Sequence, residues 1–427
     1  MVFNIKDFGA VADGKTLNTA AIQKAIDACF ANGGGQVLVE GGVYMFGTIV
    51  LHSNIELHID ATATLLGSPR CEDYPERDNV RHVDTKKLPR WRNACYIYAE
   101  ESENISITGM GKIDCNGKSF VEPRENPTHW LFKRIDAPTP PRVVFFAGCK
   151  NVRIEDITME NLPSGWGFWI HDCDYVSFDK VKIFAEVEYE NNDGIHINSS
   201  RNVTVSNCDI TCGDDCLVIR ANNASLPENK VCEKVTVTNC NLTSYSGGIR
   251  VGWRQCGTIR NCSFSNIVMT DTTVGVDINI PHFSFDPTKM YTIDCGREAT
   301  LIENISFDNK YIDTTVSEKA RGFIEGKKTS ATKELIVPAG AIIRHAVFGE
   351  GQVVALEASF PECPAKTFKV PYLHSLPDEI SFCANGKTLL HDRFGEGEVY
   401  AYIVVFKNHI MPLTYPATFE NGELLFE

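Results

Sequence analysis

The chain has 427 residues, of which 43% are hydrophobic and 22% charged, and it carries a formal net charge of −14. This composition is typical of a folded protein, and its acidity argues against nucleic-acid partners, which need a basic protein face. No apolar run approaches the roughly 18 residues that a membrane span requires, so we expect no membrane partner either.

The opening of the chain predicts one helix. The first residues, MVFNIKDFGAVADG, lack the basic start and apolar core of a signal peptide, so we favour a cytoplasmic location unless the chain is a mature secreted form. Apolar residues then recur at helical spacing from Ala21 to Cys29. Asn18 or Thr19 is the expected N-cap, and Asn32 followed by glycine is the expected stop.

After the helix, short alternating runs form an internal repeat. Similar units begin at Ser102, Cys149, Cys173, Ser200, Cys232, Ile259 and Ile302. One such coil cannot bury its apolar face alone, whereas coils stacked at roughly 4.8 Å per rung can. We therefore predict an all-β fold, a parallel β-helix over residues 1–325 whose first coil is covered by the N-terminal helix. A sandwich or a propeller fits less well, because the repeats lack tight hairpin signals.

The repeat breaks near residue 325, and the tail at 326–427 has a small duplication of its own. HAVFGEGQVVALE begins at His345 and HDRFGEGEVYAYI begins at His391. A Gly-x-Gly turn before a β run predicts a small all-β C-terminal module in which both histidines are turn residues. Its role is open between packing on the last coil, accessory sugar binding and dimerisation.

The 16 cysteines lie in apolar, strand-like contexts, as buried free thiols do. Cys208, Cys212 and Cys216 are evenly spaced, but no paired CxxC motif or Cys/His knuckle accompanies them. We therefore predict neither a metal site nor a cofactor.

The stretch NNDGIHINSSRNVTVSNCDITCGDDCLVIR is the strongest candidate for chemistry. Asp193 precedes the adjacent pair Asp214 and Asp215 by about one coil, which in a β-helix places the three carboxylates on one face. Like charges raise one another's pKa, so such a cluster is costly unless it is used. It suits glycoside cleavage, which needs one protonated carboxyl for the leaving oxygen and another to activate water. Ordinary turns are the alternative, and the one-coil spacing of two motifs favours catalysis.

Four stretches resemble glycoside hydrolase family 28, the polygalacturonase family. They are DFGAVADGKTLNTAAIQKAID, GTIVLHSNIELHIDATATLLGS, PPRVVFFAGCKNVRIEDITMENLPSGWGFWIHDC, and NNDG together with CGDDC. The resemblance implies a right-handed parallel β-helix that hydrolyses a pectin-type oligosaccharide or polysaccharide with inversion and without a metal.

The resemblance also implies residue roles. Asp214 becomes the general acid, Asp193 and Asp215 activate water, and Asn191 or Asn192 orients a carboxylate or a substrate hydroxyl. Inversion predicts that the acid and base carboxyls lie roughly 6.5–9.5 Å apart. A β-helix lyase or epimerase and a non-catalytic carbohydrate-binding β-helix are the competing functions.

The positions that hold the substrate depart from the family pattern. Gly247 replaces a histidine, and Asp277 and Asn279 replace the arginine and lysine that hold the substrate carboxylate. This loss favours a rhamnogalacturonan-type or other pectic substrate over plain polygalacturonan. The candidate substrate-binding residues are Asn192, His196, Arg220, Arg250, Arg254, Trp166 and His171.

These candidates have different expected contacts. The arginines can bind a carboxylate with two hydrogen bonds, His196 can contact the aspartates, and an exposed tryptophan, Trp166 or Trp169, can stack on a sugar ring. Long insertions at 67–95 and 114–141 could wall off one end of the groove and favour attack at a chain end. Arg124, His129 and Trp130 in the second insertion could then contact sugar.

Overall fold

The computed structural model describes residues 1–88, 92–125, 130–252, 257–278 and 301–312, together with short strands between 333 and 426. Within the first 312 residues, successive coils alternate between two large parallel sheets. We call the smaller, eight-stranded one the front sheet and the larger, 17-stranded one the back sheet. This is the arrangement of the predicted parallel β-helix.

The front sheet takes one strand from each coil. Its strands are Ile49–Val50, Cys95–Glu100, Arg142–Ala147, Trp166–His171, Ile195–Asn198, Leu217–Arg220, Gly247–Val251 and Val274–Ile278. Apolar side chains alternate along each strand, so that Ile195 and Ile197 join the core while His196 and Asn198 face the other way. The outer face of the front sheet therefore carries polar residues, such as His196 and Asn198, of the segment that contains the candidate aspartates.

The back sheet takes one or two strands from each coil. Its strands are Val2–Asn4, Asp13–Leu17, Gly35–Val39, Gly42–Phe46, Ile55–Ile59, Ala63–Gly67, Glu103–Thr108, Lys112–Asp114, Lys150–Glu155, Thr158–Glu160, Asp174–Asp179, Lys182–Phe184, Arg201–Ser206, Asp209–Cys212, Cys232–Ser244, Thr258–Met269 and Leu301–Ile312.

The repeat units stack in the register that the sequence alignment predicts. Val152 pairs with Val176, Val176 with Val203, and Val203 with Val235, so equivalent residues of four units lie above one another. These side chains are buried in the core between the sheets, where β-branched residues pack well on a pleated surface. The alignment of the repeats is therefore confirmed.

Asparagines make the turns that enter the back sheet. Asn54, Asn104 and Asn151 have φ values of 63°, 57° and 52°, a left-handed conformation that asparagine tolerates better than most residues. Their side chains also form a ladder, because Asn104 Nδ2 donates to Asn54 Oδ1 at 2.8 Å and Asn151 Nδ2 donates to Asn104 Oδ1 at 2.6 Å. The recurrent asparagine of the repeat thus supplies both a turn and a bond between coils.

The helix Thr19–Ala31 has the predicted bounds, with Asn18 at its N-cap and Asn32 at its C-cap. Its buried residues, Ile22, Ala25, Ile26 and Cys29, belong to the same hydrophobic core as the coils. Asn18 does not cap the helix with its side chain but instead accepts a hydrogen bond from the Val11 amide at 2.7 Å. No helix among the described residues is long and apolar enough to cross a membrane.

Smaller elements decorate the coils. An antiparallel hairpin joins Val121–Pro123 to Phe132–Arg134. Short 3₁₀ helices span Ile5–Phe8, Cys71–Asp73, Thr85–Lys87 and Gly117–Phe120. The described cysteines are free, and all of them except Cys71 are buried, as the apolar contexts predict.

The tail contains short, mainly antiparallel strands. They are Lys333–Ile336, Ile342–Phe348, Leu356–Phe360, Cys363–Phe368, Glu379–Ala384, Lys387–Arg393, Val399–Phe406, His409–Pro412, Ala417–Glu420 and Glu423–Phe426. His345 and His391 lie inside two of these strands, so their prediction as turn residues is wrong; the apolar residues around them extend the strands instead. The Gly-x-Gly segments fall outside the described residues, and the domain boundary at 325 stays a prediction.

Candidate active site

The structure brings Asp193, Asp214 and Asp215 together on the outer face of the front sheet. Asp193 lies just before the strand Ile195–Asn198, and the pair lies just before the next strand of that sheet, Leu217–Arg220. One carboxylate oxygen from each aspartate lies within 4.8 Å of the other two. The three residues are only 4%, 6% and 1% exposed. Such crowding in a buried place raises the cost of ionising all three.

The three carboxylates are crowded because they lie on two neighbouring rungs. One oxygen from each approaches within 4.8 Å of the others, and adjacent parallel strands are only about 4.8 Å apart. The expected separation of roughly 6.5–9.5 Å refers to whole carboxyl groups that flank a bound water, and it stays a prediction.

Asp214 is the candidate proton donor. Burial raises its pKa to about 6; the negative charge of Asp193 adds to the rise, and Arg250 opposes it. Asn191 Nδ2 donates to Asp214 Oδ2 at 3.0 Å. A carboxyl with a pKa near neutrality can hold a proton at working pH and release it to a leaving group.

Asp215 is instead paired with a cation. Arg250 Nη1 lies 2.7 Å from Asp215 Oδ2, and Arg250 Nε donates to Asp277 Oδ2 at 3.1 Å. Burial raises the pKa of Asp215, and the guanidinium opposes that rise. Arg250 and Asp277 occupy paired positions on adjacent front-sheet strands. Arg250 therefore serves the carboxylate cluster, and its predicted role as a substrate contact stays a prediction.

Asp193 is held by a histidine. His196 Nε2 lies 2.9 Å from Asp193 Oδ2, and the imidazole stacks on Trp166 with ring centroids 4.0 Å apart. Burial lowers the pKa of His196 well below its usual range, and the charge of Arg220 lowers it further. The ring is therefore neutral and donates its Nε2 hydrogen to Asp193, as the expected contact with the carboxylate cluster requires.

The two asparagines of NNDG make different hydrogen bonds. Asn191 contacts Asp214, whereas Asn192 is fully buried and bonds only to the backbone, donating to Glu186 O at 2.6 Å and accepting from the Gly213 amide at 2.7 Å. Asn192 thus joins the two loops that carry the aspartates. Its predicted substrate contact does not fit, because its side chain is used within the protein.

Gly247 leaves room for Asp215. A Cβ atom at this position would lie 2.5 Å from Asp215 Oδ1, closer than side chains approach one another. The histidine expected from the family pattern would therefore displace Asp215 from this position. Ser246, the preceding residue, instead contacts Asp215 Oδ1 through its hydroxyl at 3.4 Å.

The first insertion packs on the outer face of the front sheet. Val83 and Leu88 lie with Leu226 in an apolar cluster there. The Asp84 amide also donates to Ser225 O at 2.7 Å, which ties the insertion to the loop after the strand Leu217–Arg220. The insertion therefore crosses several coils, and its role as an end wall stays a prediction.

This cover buries residues that the sequence suggested for sugar contact. Trp166 is 8% exposed and Trp169 is 2% exposed, and both belong to the apolar cluster under the insertion. His171 is fully buried, donates from Nε2 to Ser225 Oγ at 2.9 Å and accepts from Asn198. A sugar cannot stack on these rings or reach His171 without displacing the insertion, so these predicted contacts do not fit the structure.

The second insertion forms the side of the site. Trp130 Nε1 donates to Gly213 O at 2.6 Å, directly beside Asp214. Arg124 pairs with Glu190 in the loop before the aspartates. Trp130 is therefore placed near the candidate acid, whereas His129 lies outside the described residues, as do Arg254 and Asn279.

Sequence reasoning did not find Arg142, a fully buried cation that packs on the two tryptophans of the front sheet. Its guanidinium lies 3.9 Å from the ring centroid of Trp169 and 5.2 Å from that of Trp166, and its Nη1 donates to Arg92 O at 2.6 Å. A charged residue that opens the apolar strand RVVFFA was the available signal. Among the described residues, the three aspartates are also the one acidic cluster compact enough to hold a metal ion. The Arg250 guanidinium already balances part of its charge.

Sequence comparison finds one matching family and several similar proteins. Residues 36–229 match the model of glycosyl hydrolases family 28. An exo-poly-alpha-D-galacturonosidase of Dickeya chrysanthemi is 29% identical over 254 residues, which cover 50% of this chain and 41% of that protein. A probable polygalacturonase of Arabidopsis thaliana is 24% identical over 378 residues, which cover 82% of this chain and 75% of that protein. The chain thus spans less than half of the Dickeya protein.

Solved structures share the fold. The family 28 exopolygalacturonase of Yersinia enterocolitica aligns with a TM-score of 0.54 at 21% identity, covering 74% of this chain and 67% of that one. The exopolygalacturonase of Thermotoga maritima gives a TM-score of 0.54 at 18% identity, covering 92% of this chain and 94% of that one. The predicted right-handed parallel β-helix is confirmed.

Proposed function

We propose that the chain is a polygalacturonase-like member of glycosyl hydrolases family 28, whose model matches residues 36–229, and that it hydrolyses glycosidic bonds of a pectic glycan with Asp193, Asp214 and Asp215. The observation that carries this proposal is the division of roles within one buried cluster. Burial raises the pKa of both Asp214 and Asp215, but Asp215 has the ion pair with Arg250, whereas Asp214 accepts from the neutral amide of Asn191. This difference in partners supports Asp214 as the acid and Asp215 as a base.

The reaction needs one proton to be given to the glycosidic oxygen and one proton to be taken from the attacking water. Asp214 gives its proton to the glycosidic oxygen as the bond from that oxygen to the anomeric carbon breaks. Water attacks the same carbon and loses a proton to Asp215 or Asp193, which Arg250 and His196 hold in place. Single displacement inverts the anomeric carbon, and we propose inversion for this chain.

The closed groove supports attack at a chain end. The insertion that carries Val83 and Leu88 covers the outer face of the front sheet on one side of the aspartates. A polysaccharide running through the site would meet this wall, whereas the end of a chain would fit against it. We propose exo action for this reason.

The substrate differs from plain polygalacturonan in this proposal. Asp277 stands in the position of the family's arginine and is used by Arg250, so the usual carboxylate clamp is missing there. A rhamnogalacturonan-type oligosaccharide, in which only alternate sugars carry a carboxylate, suits such a site better.

The deciding experiment measures reducing ends released from homogalacturonan and rhamnogalacturonan oligosaccharides by the wild type and by Asp214→Asn. We expect release by the wild type and a loss of about 10²–10⁴-fold in the variant, the usual contribution of a general acid. An unsaturated, absorbing product would indicate a lyase instead. Binding without turnover, unaffected by replacing all three aspartates, would indicate a carbohydrate-binding protein.

The stereochemistry is a separate prediction. Proton NMR of the product formed during the first turnovers should show the anomer opposite to that of the substrate bond, before mutarotation mixes the two. Product with retained configuration would mean that one of the closely spaced carboxylates attacks the sugar directly.

A further inference from the structure

Arg220 is a buried cation on the outer face of the front sheet. It ends the strand Leu217–Arg220, in which Leu217 and Ile219 point into the core, so Val218 and Arg220 face the groove. Arg220 is only 8% exposed. It follows the candidate acid by six positions in the chain and pairs across the sheet with Asn198 of the strand that follows Asp193.

The described residues provide no counter-charge for the Arg220 guanidinium. Within the part of the chain that the structure describes, it makes no ion pair, and its buried Nε has no hydrogen-bond partner. Other arginines near the site are compensated, since Arg250 pairs with two carboxylates and Arg142 lies against aromatic faces. A buried, unpaired charge costs several kcal/mol unless an anion approaches it. Arg220 is therefore prepared for an anion that comes from outside the chain.

Arg220 lies near the histidine that holds Asp193. His196 donates from Nε2 to Asp193, and it pairs across the sheet with Val218, two residues before Arg220. Burial is the largest cause that lowers the pKa of His196, and the charge of Arg220 is the next largest. Arg220 is therefore close enough to the aspartates for a ligand on its guanidinium to adjoin them.

A glycine follows the partner of Ile219 on the next coil. Ile219 pairs with Val251, and the residue that follows Val251 is Gly252, whose amide donates to Ile219 O at 2.8 Å. Gly252 has no side chain that could pair with the Arg220 guanidinium.

We propose that Arg220 binds the carboxylate of a uronic acid beside the cleaved bond. A guanidinium matches a carboxylate with two parallel hydrogen bonds. The inference rests on the proposed function for the place of the cleaved bond. It replaces the family's missing carboxylate clamp by a cation on an earlier rung.

The test uses the hydrolysis-deficient Asp214→Asn protein as its parent, with binding measured by calorimetry. The probes are trigalacturonate and the same trisaccharide with its carboxyls reduced to alcohols. We expect Arg220→Gln to weaken trigalacturonate binding about 10- to 100-fold, as loss of a charge-assisted hydrogen bond does, and to leave the reduced probe unaffected. Arg220→Lys should retain part of the affinity. Arg201→Gln, which removes an arginine that pairs with Asp174 on the back sheet, is the matched control and should bind like the parent.

Thermal unfolding separates binding from folding. Without ligand, Arg220→Gln should melt at the same temperature as the parent or higher, because it removes an uncompensated charge, whereas a residue with a structural partner would melt lower. Failure of the parent to bind trigalacturonate, or equal loss for both probes, would overturn the subsite. Arg220-dependent binding without turnover by the wild type would instead refute the proposed hydrolysis and leave the subsite standing. Turnover unaffected by Arg220→Gln would support the proposed hydrolysis and overturn the subsite.

Discussion

Asp214 and Asp215 are adjacent in the chain, yet their side chains have different partners. Asp215 receives Arg250 at 2.7 Å, while Asp214 receives the neutral amide of Asn191 at 3.0 Å. A guanidinium stabilises a carboxylate more than an amide does, so a proton shared by the cluster resides on Asp214. The identity of the acid therefore depends on which neighbour each carboxyl has.

Arg250 should set the pH profile. With Asp214 at a pKa of about 6, kcat/KM should fall as the pH rises through about 6, because the acid loses its proton. Arg250→Gln removes a cation that lowers this pKa, so the alkaline limb should move to higher pH. We also expect kcat to fall about 10- to 100-fold, the range for losing a hydrogen bond to a charged group. An unmoved alkaline limb would contradict the role of Arg250, and Arg201→Gln provides the control.

His171 should make stability depend on pH. Burial lowers its pKa to about 3, from an ordinary value of 6.5, so the unfolded chain binds a proton that the folded chain excludes. Its contribution is complete above about pH 6.5 and is lost as the pH falls towards 3. The loss amounts to about 1.4 kcal/mol per pH unit.

Denaturant unfolding between pH 6.5 and 4 measures this effect. His171→Gln should show a shallower loss of unfolding free energy with acid than the wild type, whatever its stability at neutral pH. His52→Gln, at a partly exposed surface histidine, should keep the wild-type slope. Equal slopes in all three proteins would rule out a buried neutral His171.

At the scale of elements, the insertion determines what the front sheet can bind. Val83 and Leu88 cover the aromatic residues of the sheet, and the ring of His82 lies against Asp172 with Nε2 3.0 Å from Oδ2. The strands alone would present Trp166 and Trp169 as an open platform. The insertion covers both rings, so this surface is not open to a sugar.

Loosening the insertion should change the products. Leu88→Ala removes a buried anchor, at a cost of about 2–5 kcal/mol to local stability. We expect the groove end to open, so that longer oligosaccharides appear among products that are otherwise released from the chain end, as chromatography would show. Leu65→Ala, in the core behind the sheets, is an equally buried control that should lower stability without lengthening the products. An unchanged product pattern in Leu88→Ala would refute the wall.

At the scale of the whole molecule, coils are held together by register. Equivalent residues such as Val152, Val176 and Val203 lie on successive rungs, and the asparagine ladder repeats the same contact at the turns. Each coil therefore contacts mainly its neighbours, and its stability depends on theirs.

The asparagine turns offer a measure of this coupling. Asn151 has a φ of 52° and donates to Asn104, so Asn151→Ala loses a hydrogen bond and strains the backbone. Asn151→Gly loses only the hydrogen bond. We expect the alanine variant to be less stable than the glycine variant by about 1 kcal/mol in chemical denaturation. The reverse order would show that the left-handed turn is not required.

Periodicity in the sequence determined the fold and the place of the aspartates. Period-two strands in units of one coil can bury their apolar faces only by stacking, which puts Asp193 one rung from Asp214 and Asp215. The helix bounds could also be predicted from the sequence, because capping residues and helical spacing are local signals. The family resemblance added the roles expected of each aspartate.

Only the tertiary structure decided how the surrounding side chains are used. Arg250 and Asp277 are 27 residues apart in the chain but meet on adjacent rungs. Trp166 is covered by Val83 and Leu88 of the first insertion, which are also far from it in the chain. Such contacts depend on how loops of irregular length return to the sheet, which no local pattern encodes. Arg250 pairs with Asp215, whereas Arg220 has no ion pair with any residue that the structure describes. This difference between two similar arginines exists only in the folded chain.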